Sequence, residues 1–315
     1  MVLLIAVVSG TASAQDTDSS DAPLRVTLLG TGNPRPSIDR FGPSILVEAG
    51  ETTVLVDVGR GATQRLFQIG RAAKLREVDL VLFTHLHSDH VVGFSDLWLT
   101  SWVFGRTVPL RVIGPPGTDD MCRHLESAFT FNRRVRSQDE RFSEPGVQLE
   151  VSDVEPSVVF EDGDLRVTAF AVDHGGNIEP AYGYRIDYAG RSVAFSGDTR
   201  YYEPIVEHAR GVDVLIHEVI SPEVEFRAAQ IVGEHAVQQV LSHHASPEQV
   251  GEIFSRVKPR LAVYSHIVPS PSQPEDLVPP TRKTYQGPLA VGYDLMMISI
   301  GESIDVHPRR TLADE

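Results

Sequence analysis

The chain of 315 residues holds a single cysteine, Cys122, so neither an internal disulfide framework nor a thiolate zinc cluster can form within it. It also lacks an excess of basic side chains: 28 Lys and Arg stand against 43 Asp and Glu, a formal net charge of −15. An average surface of that sign repels polyanions, and a nucleic-acid reader would need a strong local basic patch to overcome it. The densest basic cluster, Arg133, Arg134 and Arg136, is short and is followed by Asp139 and Glu140. No apolar run approaches the roughly 20 residues that span a bilayer. Gly30-x-Gly32 lacks the third glycine of a dinucleotide fingerprint and the lysine of a phosphate loop, and reads as a tight turn. What the chain does have is twelve histidines, which points to imidazole for any metal work.

Met1 to Val8 is almost wholly apolar, and Ala12-Ser13-Ala14 before Gln15 has the form of a signal-peptidase site. Residues 1–14 are therefore expected to be a signal peptide, 15–23 a flexible lead, and 24–310 one domain of an exported, periplasmic or secreted protein.

From Leu24 onward, strand-like runs alternate with helical segments, an α/β pattern. Ser44 to Val47 and Thr53 to Val56 read as a hairpin across Ala49-Gly50-Glu51, the second strand running into Asp57. Val78 to Phe83 is a near-continuous apolar run, as expected of a strand buried on both faces, and it delivers Thr84-His85. Three more strands deliver Ser196-Gly197-Asp198, His217-Glu218 and Ser265-His266, at the carboxyl ends where such sheets bind ligands. After His244, Ser246, Pro247 and Gln249 form a capping box ahead of an apolar face at Val250, Ile253, Phe254 and Val257. The Pro-rich stretch from Val268 to Pro280 reads as a surface loop.

His85-Leu86-His87-Ser88-Asp89-His90 places four potential ligands within six residues directly after a buried strand. On an extended segment His85 and His87 point the same way and can share one metal. A turn into helix at Asp89 and His90 would swing these toward a second metal, about 3.5–4 Å away in two-metal hydrolytic sites. His174, Asp198 and His266 stand where further ligands are needed. Trp98, Trp102 and Phe104 follow at helical spacing and read as core, Cys122 as a small buried hydrophobe, and Tyr201 and Tyr202 could line the pocket.

This pattern, with Asp57 before it, resembles the metallo-β-lactamase-fold hydrolases over nearly the whole mature chain. The Leu29-Gly30-Thr31-Gly32 opening, the Ser196-Gly197-Asp198-Thr199 turn, His217-Glu218 and the His244-Ala245-Ser246 stretch are similar to the ribonuclease Z branch, which also contains arylsulfatase-like exported enzymes. The resemblance implies an αββα four-layer sandwich and two zinc ions, with manganese or iron as alternatives. One metal would be held by His85, His87 and His174, the other by Asp89, His90 and His266, with Asp198 bridging and Asp57 orienting the histidine loop. A hydroxide between the metals would be the nucleophile, Asp89 belonging to the catalytic set as well, and His244, held by Glu218, the general acid. Asp198 stands where true β-lactamases of this fold carry cysteine, which disfavours penicillin hydrolysis.

Ribonuclease Z enzymes carry a long basic arm between the third histidine motif and the bridging aspartate, whereas here only 23 residues separate His174 from Asp198. With the charge of −15 and the export signal, that argues for a small anionic ester as substrate, aryl sulfate first and phosphodiester or lactone next. Ribonuclease action ranks lower, and a metal-binding protein without turnover lowest. No nucleic-acid partner and no membrane contact are expected, and a homodimer is admitted.

Overall fold

The computed structural model describes residues 22–140 and 142–307, with the backbone alone for 228–232. The expected signal peptide at 1–14 lies outside the described residues, as does the lead up to residue 21. No helix of the described residues is long and apolar enough to cross a membrane.

Six strands open the chain: β1 (Leu24–Gly30), β2 (Ser44–Ala49), β3 (Thr52–Val56), β4 (Leu80–Leu82), β5 (Leu110–Gly114) and β6 (Leu149–Asp153). Seven follow: β7 (Val158–Asp162), β8 (Leu165–Ala171), β9 (Tyr182–Tyr188), β10 (Arg191–Phe195), β11 (Val214–Ile220), β12 (Leu261–Val268) and β13 (Leu289–Val291). The chain then returns to the first sheet with β14 (Met296–Ile300) and β15 (Ile304–His307). The sheets have the orders β15-β14-β1-β2-β3-β4-β5-β6 and β13-β12-β11-β10-β9-β8-β7.

Alternation along the strands builds three apolar layers. Val26, Leu28, Val54, Val56, Leu80 and Leu82 meet Val193, Phe195, Val214, Ile216 and Val263 between the sheets. The intervening Leu46, Leu55, Val81 and Phe83 face Leu66, Phe94, Trp98 and Trp102 of the helices on one outer face. Ala194, Leu215, Ala262 and Tyr264 face Val250, Ile253 and Phe254 on the other. Helix, sheet, sheet, helix is the expected αββα sandwich, and strands covered on both faces explain the near-continuous apolar runs. Trp98 and Trp102 are wholly buried core residues, their indole N–H groups donating to the carbonyls of Val147 and Ser143. Tyr201 and Tyr202 are half-buried and pack against the outer layer of the second sheet.

Local signals behave as their chemistry dictates. Ser246 caps Pro247–Val257 reciprocally with Gln249. Ala189 and Gly190, both with positive φ, turn the β9–β10 hairpin, a backbone twist that suits two-residue loops. The Pro-rich stretch departs from expectation: Pro274–Thr281 is helical, because Pro274 sits in the first turn and Gln273 pairs with Asp276 in a capping box.

Cys122 is buried, and that burial pushes its thiol up to about 12. At pH 8 the thiol is therefore expected to resist a disulfide reagent in the folded chain and to react once denaturant is added. Rapid labelling of the native chain would contradict this placement.

Parallel pairing of β3 with β4, and of β10, β11 and β12 with one another, carries their carboxyl ends to one rim of the sandwich. There the sheets touch, Tyr182 N–H donating to the Thr84 carbonyl at 2.8 Å.

Candidate metal centre

Most of the functional side chains arrive at that rim from strand ends or the loops that follow them. Asp57 follows β3 and adopts a left-handed conformation, φ 57°. His85 follows β4, Asp89 and His90 lie in the short helix Ser88–Val91, His174 follows β8, and Asp198 follows β10. On β12 a bulge sets Ser265 and His266 opposite the single residue Glu218 of β11, and His266 takes φ 43°. Tyr264 faces the outer helices. Strict alternation would send His266 the same way, and the bulge turns it back toward the rim.

The expected ligands converge. Asp198 Oδ2 lies 3.2 Å from His266 Nε2, 3.3 Å from His90 Nε2, 3.7 Å from His174 Nε2 and 4.0 Å from His85 Nε2. Asp89 Oδ2 lies 3.4 Å from His266 Nε2 and 3.6 Å from His90 Nε2. Two groups, His85 with His87 and His174, and Asp89 with His90 and His266, each bring three ligand atoms within 4.8 Å of one another.

The outward nitrogens show why the inward ones are free. Asp57 accepts from His90 Nδ1 at 2.7 Å and from Thr84 N and Oγ1 at 2.8 and 2.9 Å. With its proton given to Asp57, Thr84 Oγ1 accepts from His85 Nδ1 at 3.0 Å. His174 Nδ1 donates to the His243 carbonyl at 3.0 Å. Three imidazoles thus have their protons held on Nδ1 and turn Nε2 inward, an arrangement that orients histidine for a metal. Thr84, which no motif in the sequence marks, is the relay by which one aspartate orients two rings.

His85 Nε2, His90 Nε2 and Asp198 Oδ1 are buried without a hydrogen-bond partner among the described residues. His174 Nε2, an acceptor by its tautomer, faces His87 Nδ1 at 3.3 Å. Unpaired buried acceptors are costly, and a cation among them removes that cost, so the donor set fits a pair of divalent metals. Burial pushes His174 down to about 4 and, with neighbouring imidazoles, holds His85 well below its ordinary value, so both rings are neutral ligands at pH 7. Burial alone would raise Asp198, but His266 and His90 outweigh it and hold the carboxyl well below the usual carboxylate range.

His244 borders this cluster, its ring stacked on His266 at 5.5 Å between centroids. Its Nδ1 donates to Glu218 Oε2 at 3.0 Å, and Ala245 N–H holds Oε1 at 2.8 Å. A groove of about 260 Å³ opens beside His85 and His87, walled by Leu86, Pro115, Pro116 and Ile178. The Gly30–Gly32 turn packs closely against its neighbours: Ile267 N–H donates to the Thr31 carbonyl, and a Cβ on Gly30 would stand 1.9 Å from the Gly42 carbonyl oxygen.

A family profile described as a beta-lactamase superfamily domain matches residues 52–267. The chain is 32% identical over 292 residues to a protein named ribonuclease Z from Mycolicibacterium gilvum (strain PYR-GCK), covering 90% of this chain and 99% of that one. Among solved structures, the metallo-beta-lactamase fold protein YhfI from Bacillus subtilis aligns with a TM-score of 0.66 at 18% identity over 87% of this chain and 98% of its own. Human tRNase Z, short form, aligns with a TM-score of 0.64 at 20% identity over 88% and 99%.

These relatives overturn two expectations. An exported aryl sulfate esterase finds no support among them, and the exclusion of nucleic acid conflicts with the ribonuclease named above. Two of the three arguments for the exclusion were too coarse. An alignment of 292 residues that uses 90% of this chain leaves no room for a long arm in that relative, so a missing arm separates nothing. The charge of −15 is an average over the whole surface, whereas a substrate anion responds to the field at the site. As for the basic cluster, Arg133 and Arg136 are paired at the surface to Glu126 and Glu140.

Proposed function

The chain belongs to the metallo-β-lactamase superfamily of metal-dependent hydrolases, and from that premise we propose that it hydrolyses a phosphodiester bond of RNA. The reading rests on one observation above the others: seven potential ligands converge at one rim, with the His244–Glu218 pair directly beside them. His85, His87 and His174 would hold one zinc ion and Asp89, His90 and His266 the other, with Asp198 placed beside both groups. An all-nitrogen and oxygen donor set suits zinc and also accepts manganese or iron. When bound, the metals supply a water ionised near pH 7 and positive charge for the phosphoryl oxygens.

The residues of the chain do the rest. Asp57, through His90 and through Thr84 to His85, keeps the inward nitrogens in place without reorganisation. With Nδ1 given to Glu218, His244 carries its second proton on Nε2, on the side of the cluster. Against the opposing effect of burial, Glu218 holds His244 above its ordinary value, which favours the protonated, proton-donating ring. A ribose alkoxide leaves poorly unless protonated, and His244 is placed to protonate it.

The test uses the full chain loaded with zinc, with transfer-RNA precursors bearing a 3′ extension and bis(p-nitrophenyl) phosphate as substrates. Cleavage of both is expected, abolished by a chelator and restored by zinc. A fully loaded chain that leaves every RNA and phosphodiester intact would end this reading.

A further inference from the structure

His243 has no ligand-like spacing and reads from sequence as a surface or satisfied core residue, yet the structure gives it a built seat. Its Nδ1 donates to the His174 carbonyl at 2.9 Å, while His174 Nδ1 donates to the His243 carbonyl at 3.0 Å. This reciprocal pair joins segments 69 residues apart. Gly175 and Gly176 both have positive φ, 79° and 59°, and a Cβ on either would stand 2.9 or 3.1 Å from the His243 ring. Two consecutive glycines therefore open the space that the imidazole fills. The helix Glu234–His243 ends on this residue, and the chain leaves extended at His244, φ −129° and ψ 161°.

We propose that His243 is a positioning residue for the metal centre, clasping His174 so that its Nε2 faces the cluster and seating the following His244 beside it. The hydrogen bond from the His243 ring holds the His174 backbone, and the carbonyl of the same residue keeps the His174 proton on Nδ1. Loss of the ring removes the first bond directly and loosens the second. The inference rests on the dinuclear-metal reading above.

Two variants separate positioning from packing. His243→Asn keeps an N–H donor close to the place of Nδ1, whereas His243→Phe fills the seat without one. Zinc affinity is measured by competition with a chromogenic chelator, and the melting temperature is recorded on the metal-free chains. His243→Phe is expected to bind the weaker-held zinc about 10–100-fold less tightly, the usual cost of losing a partner behind a ligand, with His243→Asn staying close to the parent. Metal-free melting should be alike in all three. Equal zinc affinity in parent and His243→Phe overturns the proposal, as does an equal loss in both variants or early melting of metal-free His243→Phe. A parent chain that takes up no zinc sinks the metal reading together with it.

Discussion

Replacing Asp198 by alanine is expected to remove phosphodiester hydrolysis by more than about 10³-fold. Deleting a single oriented electrostatic partner at a reacting centre costs about 10²–10³ in rate. Asp198 serves two positions at once, since its Oδ2 lies within 4.0 Å of imidazole nitrogens from both candidate ligand groups. Without it, five imidazoles remain with a single carboxylate, Asp89, to balance two divalent ions. Metal content should therefore fall below two per chain along with the rate, while the β-sandwich, whose core lies below the rim, should still melt cooperatively. The measurement pairs metal analysis with initial rates on bis(p-nitrophenyl) phosphate. A variant that keeps two metals and the parent rate would show that Asp198 is not shared between them.

The second large effect belongs to His244→Ala and depends on the leaving group. General acid catalysis contributes about 10²–10⁴-fold when the departing oxygen is a poor leaving group and little when it departs unaided. RNA cleavage should thus fall by about that factor, while hydrolysis of bis(p-nitrophenyl) phosphate should change by less than about tenfold. Glu218→Gln should reproduce part of the pattern, because the amide still accepts from Nδ1 but no longer stabilises the protonated ring. Equal losses on both substrates in His244→Ala would remove the proton-donor role and leave His244 as a residue that shapes the site.

Much of the site was legible because neighbouring residues inherit their geometry from the strand or turn that carries them. His85 and His87 share a direction by alternation, and Glu218 lies on the side opposite His217 and Val219 for the same reason. The capping box at Ser246 is equally local, needing only Gln249 three residues on. Thr84 carries no signal of its role, and His243 reads as a surface or satisfied core residue, because their partners, Asp57 and His174, are distant in sequence and nothing in their own spacing marks them. The preference for a small ester leaned on an export signal, on a net charge averaged over the whole chain and on the length of one segment, none of which carries information about the field or the space at one rim.

The sequence by itself determined the layered α/β architecture, through apolar runs long enough to be covered on both faces, and the ligand-rich loop His85–His90, through residue type and short spacing. Only the tertiary structure decided that His266 faces the centre. Alternation along β12 puts His266 on the outer face with Tyr264, and the bulge opposite Glu218 reverses it. Tertiary packing likewise decided which imidazole nitrogen points inward: Asp57 is brought from elsewhere to His90 and the His243 carbonyl to His174, while the adjacent Thr84 serves His85 only because distant Asp57 takes its proton. The physical reason is the same in each case. Covalent geometry orients side chains only relative to their own strand, whereas convergence on a common point depends on how separate strands are registered and stacked.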